Sequence, residues 1–188
     1  MQTAHLEGGF ADPAREAARA FRAALDTMAR PGTIGTVTGG AAPAPCSVAA
    51  AVLILTLCDD TTPICLAASH DTADVRAWIT FHTGAPFAAP EQAMFALGSW
   101  TALQPVARYR AGTSEFPDRA ATLIVELDAL DAQGATLRGP GIKDTAALSL
   151  PEIEAFRENR RRFPLGFDCY FSCGDRLAGL PRSTVVEG

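Results

Sequence analysis

Arg182 stands between Pro181 and the hydroxyl pair Ser183-Thr184. A guanidinium beside two hydroxyls on a rigid turn can gather phosphate oxygens, and the same residues can equally close a structural turn. His82, three residues after Ile79, can work as an acid or base near neutral pH or donate one hydrogen bond at a core edge. Asp59-Asp60 precede Thr61-Thr62-Pro63, but two adjacent carboxylates without a third clustered ligand are expected to solvate a turn rather than hold a metal. Gly139-Pro140-Gly141 offers few backbone donors to an anion, because proline removes one and no helix opens after it; a structural turn is expected. Arg160-Arg161-Arg162 falls at a helix C-terminus, where cations offset the helix dipole without further purpose.

Standard catalytic signatures are missing. There is no G-x-x-x-x-G-K-[ST], H-E-x-x-H or G-x-S-x-G, and the histidines are His5, His70 and His82. The five cysteines, Cys46, Cys58, Cys65, Cys169 and Cys173, form no C-x-x-C pair and have an odd count. Reduced thiols packed as small apolar residues are expected, with Cys169 and Cys173 on one face of a strand. No residue qualifies as catalytic, and no metal or cofactor is expected.

The elements that must position these groups read as alternating helix and strand. Asp12-Pro13 opens a helix in which Ala17, Phe21, Ala24, Leu25 and Met28 recur at helical spacing, and Pro31-Gly32 closes it. Thr33 to Thr38 is β-rich. Ser47 caps an apolar helix through Leu57, too short to span a membrane and so expected to be buried. Ile64 to Ala67 is a short buried strand, and Asp71 begins a helix with Val75, Trp78, Ile79 and His82 on one side and Gly84 as its stop. A strand is entered within Glu91 to Leu97. Gly98 to Pro117 has little periodicity and reads as a mobile loop, tolerant of insertion, or a short extra helix. Ala121 to Leu127 is strand-like, with a hairpin turn at Gln133-Gly134 before Thr136-Leu137-Arg138. A last helix opens at Pro151, and Phe167–Cys173 pairs with Arg176–Leu180 across Gly174-Asp175. Together these predict one α/β domain over residues 1–188, a mixed β-sheet flanked by helices.

At 188 residues and 48% hydrophobic content the chain suffices for one core. A net charge of -5 leaves no broad basic face, so nucleic acid is an unexpected partner. The start, Met1 to Gly9, has neither a basic nor an apolar targeting stretch, and a cytoplasmic location without membrane association is expected.

Ordered fragments over almost the whole chain resemble the H-subunit family of carbon–phosphorus lyase (PhnH). They are Phe21-Arg22 through Met28 with Pro31-Gly32; Leu55-Thr56-Leu57 with Asp60 and Thr62-Pro63; Phe81-His82-Thr83-Gly84-Ala85-Pro86; Pro90-Glu91-Gln92-Ala93; Ala121-Thr122-Leu123-Ile124; Gly139-x-Gly141-Ile142; and Phe163-Pro164-Leu165-Gly166 leading to Cys173-Gly174-Asp175-Arg176 and Pro181-Arg182-Ser183-Thr184. The resemblance implies a part in phosphonate use, within a complex of subunits G, H, I and J that displaces adenine from ATP to give a ribose 1-alkylphosphonate 5-triphosphate. It implies an accessory role, since the nucleosidase step is attributed to subunit I and the radical step to the iron–sulfur subunit J. It also implies a fold similar to pyridoxal-phosphate-dependent transferases but without the cofactor lysine; Lys143, the sole lysine, lies beside Asp144. Partners G, I and J and a homodimer of the isolated subunit follow from it. The alternative is a subunit that binds ATP or alkylphosphonate itself through Arg22, His82, Arg176, Arg182 and Thr184, meeting across a dimer interface.

Overall fold

Asp12 begins the first helix, α1 (Pro13–Ala29), by accepting the Arg15 amide, while Glu16 reaches back to accept the Asp12 amide at 3.1 Å. This reciprocal cap fixes the helix start. The computed structural model describes residues 6–188. Met1–His5, which include the first histidine and part of the stretch read for targeting signals, lie outside the described residues.

The inward face of α1 is made of Ala20, Ala24 and Thr27, whereas Phe21 and Leu25 are 52% and 54% exposed. The reason is distance. A strand of the main sheet passes so near that a Cβ on Gly179 would lie 2.7 Å from the Met28 backbone, so only small side chains fit between helix and sheet.

That sheet has six strands in the order β1 (Ile34–Thr36), β8 (Arg176–Leu180), β7 (Asp168–Cys173), β4 (Thr122–Glu126), β3 (Phe95–Ser99) and β2 (Ile64–Leu66). β2, β3, β4 and β7 run parallel, and β8 and β1 close the sheet in antiparallel fashion, so the expected mixed sheet is present. The β7–β8 turn is Gly174-Asp175, with Gly174 at a φ of 60° in the position that demands it.

Side-chain alternation divides the sheet between two cores. Leu97, Ile124 and Tyr170 face α1, α2 (Val48–Leu57) and α3 (Ala73–Thr83). Leu123, Val125, Cys169 and Phe171 face the other side, where α5 (Ile153–Arg161) contributes Phe156. The expected buried helix is α2, capped by Ser47 and enclosed from Ala49 to Ile54. In α3 the capping oxygen belongs to Thr72 rather than Asp71, whose carboxylate pairs with Arg76; Gly84 ends the helix in the left-handed region.

One reading is corrected and one is resolved. Gln133-Gly134 does not return the chain to β4, because β3 and β7 already occupy both edges of β4. β5 (Ala135–Arg138) instead centres a separate antiparallel sheet between β6 (Ala146–Leu148) and β9 (Val185–Glu187). Of the two alternatives for the stretch after Gly98, the short extra helix is the one present, as α4 (Trp100–Leu103), followed by a 3-10 turn at Val106–Arg108. Trp100, Leu103 and Tyr109 are buried, and Trp100 stacks on Phe156 and donates to Glu152 at 2.9 Å.

The Gly179→Ala substitution should therefore lever α1 off β8 and cost about 1–3 kcal/mol, lowering the melting temperature by roughly 2–4 °C per kcal/mol in a chain of this size. An unchanged melting temperature would show that α1 is not seated on the glycine.

Candidate functional site

In sheets of this type ligands collect beyond the carboxyl ends of the parallel strands. There β3 and β4 end with Ser99 and Glu126, in direct register with Ser172 one residue before the end of β7, and the chain leaving β2 brings Ser69 and His70 beside them. Glu126 is the centre of this group. Its Oε2 accepts the Ser47 amide at 2.8 Å and its Oε1 accepts the Ser172 hydroxyl at 2.9 Å. Ser47 is also the N-cap of α2, so the carboxylate sits where the helix dipole and unpaired amides favour negative charge.

His70 faces the same carboxylate, with Nε2 3.7 Å from Glu126 Oε2 and side-chain exposures of 4% and 11% for the two residues. That separation exceeds a hydrogen bond, and Nε2 has no other partner. The opposite nitrogen, Nδ1, lies 2.9 Å from Ser69 Oγ, which already accepts the Ser99 amide at 3.0 Å. We assign the Ser69 proton to Nδ1, leaving the ring proton on Nε2 toward Glu126. The order serine, imidazole, carboxylate matches that of a proton relay. Here, however, each serine oxygen also holds the strand ends together: Ser69 takes the Ser99 amide, and Ser172 reaches the Val125 carbonyl at 3.3 Å.

The neighbouring thiol is quiet. Burial, and then the Glu126 charge, pushes Cys46 up to about 12, the opposite of the depression a nucleophile needs. Burial likewise holds Cys58 at about 12 and raises Cys65 and Cys169, as packed thiols should behave.

The residues singled out from the sequence are dispersed within one chain. Arg22 is exposed on α1. His82 is half-buried, with Nε2 2.9 Å from the Leu6 carbonyl and its ring against Trp78 and Phe81. Arg176 and Arg182 lie at opposite ends of β8, about 20 Å apart at the usual rise per residue. Arg176 approaches Asp131 at 3.7 Å, whereas Arg182 forms a fork with both Asp168 oxygens (3.1 and 2.6 Å) and donates to the Pro117 carbonyl at 2.6 Å. Thr184 is buried, its amide closing a turn onto Pro181 and its hydroxyl unpartnered. Asp59 accepts the Thr61 amide and hydroxyl at 2.8 and 2.7 Å, the expected turn chemistry. Gly141 packs on α1, where a Cβ would meet the Ala29 oxygen at 1.8 Å, so the glycine pair is structural.

The Glu126 group escaped sequence reading although two signals mark it. A single acid terminates the apolar run Leu123–Val125, and a serine and histidine follow a wholly buried short strand almost at once.

The chain is similar to known proteins over nearly its full length. The family described as "Bacterial phosphonate metabolism protein (PhnH)" matches residues 8–187. The alpha-D-ribose 1-methylphosphonate 5-triphosphate synthase subunit PhnH of Rhizobium meliloti (strain 1021) is 38% identical over 197 residues, covering 99% of this chain and 98% of the relative.

Removing the central anion by Glu126→Ala is expected to cost about 3 kcal/mol, since the Ser47 amide and Ser172 hydroxyl lose an acceptor and the His70 ring loses the charge it faces. Denaturant unfolding would measure it, and a loss below about 0.5 kcal/mol, the scale of an ordinary surface change, would contradict the reading. For the thiols, iodoacetamide at pH 8 should leave Cys46, Cys58 and Cys169 unmodified in the folded chain, as read by peptide mass spectrometry. Their folded pKa values lie above the ordinary 9.0, so the associated stability is complete below pH 9 and is lost as pH rises toward about 12. Rapid native-state labelling of Cys46 would overturn this.

Proposed function

Because the chain belongs to the bacterial phosphonate metabolism protein (PhnH) family, we propose that it is the H-type subunit of a ribose 1-methylphosphonate 5-triphosphate synthase. The observation that carries this reading is the match from residue 8 to residue 187 together with near-complete coverage of the curated relative. Its role is accessory. Displacing adenine from ATP requires a triphosphate cradle, and the glycine pair that resembles one is packed against α1 instead. Arg182 and Arg176, the cations considered for a nucleotide, are turned to Asp168 and Asp131. The partners are the G, I and J subunits, and the site of action is the cytoplasm, in keeping with the unpaired cysteines at five positions. Among the described residues no helix is long and apolar enough to cross a membrane.

The whole span 1–188 acts as one domain of the kind found in pyridoxal-phosphate-dependent transferases, without the cofactor. In support, Lys143 is exposed on the connection between β5 and β6 of the small sheet. Self-association uses the outer side of the helical layer. Phe21, Leu25 and Phe81 are more than half exposed there, and apolar groups of that size at a surface are candidates for burial against protein.

Size-exclusion chromatography of the purified chain, alone and with subunits G, I and J, tests both parts. A dimer alone that shifts into a stoichiometric complex with the other subunits is expected. A Phe21→Asp, Leu25→Asp variant should run as a monomer. Separate elution from all three subunits would contradict the subunit reading, and a monomeric wild type would contradict self-association.

A further inference from the structure

At the edge opposite Glu126, the amino ends of β3 and β4 open onto a cleft of about 510 Å³. Arg110 and Arg119 line it together with Thr122, and Met94 and Phe95 add apolar lining. Asp118 is the acidic residue of the lining and sits exposed on the same short turn as Arg119.

Arg110 and Arg119 sit on backbone that neighbouring segments fix. Among the described residues neither forms an ion pair, although the chain carries an excess of acids. The Arg110 backbone is clamped beside Ala121, whose amide donates to the Arg110 carbonyl at 2.8 Å, and an antiparallel bridge joins Ala111 to Ala120. Arg119 lies 4.0 Å over the Phe116 ring, a contact that occupies the face of the guanidinium and leaves its N–H edge available. Arg182 fixes the turn from behind: anchored on Asp168, it donates to the carbonyl of Pro117, the first residue of the 3-10 turn Pro117–Arg119. Arg182 is thus a positioning residue for this cleft.

We propose that the cleft is a binding site for a tetrahedral phosphorus oxyanion, phosphonate or phosphate, with Arg110 and Arg119 on its oxygens and Met94 and Phe95 against any apolar substituent. Two guanidinium charges match a dianion, and their N–H forks suit a headgroup with three equivalent oxygens. The anion site rests on the cleft itself. The choice of alkylphosphonate as one source rests on the family reading.

Isothermal titration of the full chain at low ionic strength with inorganic phosphate, methylphosphonate and butylphosphonate tests the assignment. Saturable binding is expected, weakened about tenfold or more by Arg110→Ala and by Arg119→Ala. Arg138→Ala, whose side chain pairs with Glu187 on the small sheet, should bind as wild type. Butylphosphonate binding tighter than phosphate assigns the apolar wall to an alkyl group, whereas equal binding assigns the site to the phosphate headgroup alone. Absence of saturable binding to all three probes, or binding that survives both arginine substitutions unchanged, overturns the proposal. The Arg110→Ala chain should keep its wild-type melting temperature and still enter the complex with subunits G, I and J. Loss of anion binding with assembly intact therefore separates this site from the subunit reading.

Discussion

A carboxylate placed almost out of water must be given partners, and Glu126 takes its partners from three parts of the chain. Burying an unpaired charge costs several kcal/mol, which is a large share of the stability of any single domain. The Ser47 amide brings the start of α2, the Ser172 hydroxyl brings β7, and His70 brings the connection from β2 to α3. Because α2 is apolar on all sides, its only polar requirement lies at its ends, and Glu126 meets it at the first. The β7–β8 turn adds a second fixing point, the Gly174 carbonyl accepting the Ala49 amide at 2.9 Å. The layering of helices on the sheet is thereby tied to one acidic side chain.

The two edges of the parallel strands have different electrostatic characters as a result. At the carboxyl edge the donors converge on the chain's own anion, so an incoming phosphate group would meet a carboxylate where other sheets of this type present free amides. At the amino edge Asp168 is neutralised by the Arg182 fork, and Arg110 and Arg119 are among the residues lining the cleft. The thiols near the carboxyl edge are raised by burial, and the imidazole beside Glu126 is enclosed.

Much of the framework was legible because it follows from local rules. The Asp12-Pro13 cap, the Ser47 cap and the Gly174-Asp175 turn are each specified by two or three adjacent residues, and each appears where those residues put it. The inward face of α1 was not legible from its large apolar residues, because it is decided by Gly179, some 150 residues away in the chain, which admits only alanine-sized neighbours. The path after β4 failed for a related reason: Gln133-Gly134 has hairpin chemistry, but whether β4 has a free edge is a property of the whole sheet. Arg182 drew notice as a phosphate ligand from its local company, while its partner Asp168 lies on an adjacent strand end that spacing does not reveal. The Glu126 group and the arginine cleft are assembled from separated segments, so neither forms a motif that can be read in a line of sequence.

The central claim is that this chain is required by, and does not itself perform, the displacement of adenine from ATP by a phosphonate. Adenine release should be followed in a mixture of purified subunits G, I and J with ATP and methylphosphonate, with and without this chain, and with this chain alone. The account predicts release only when the chain joins the other subunits, and none from the chain by itself. Full release without it, or turnover by the chain alone, would contradict the account.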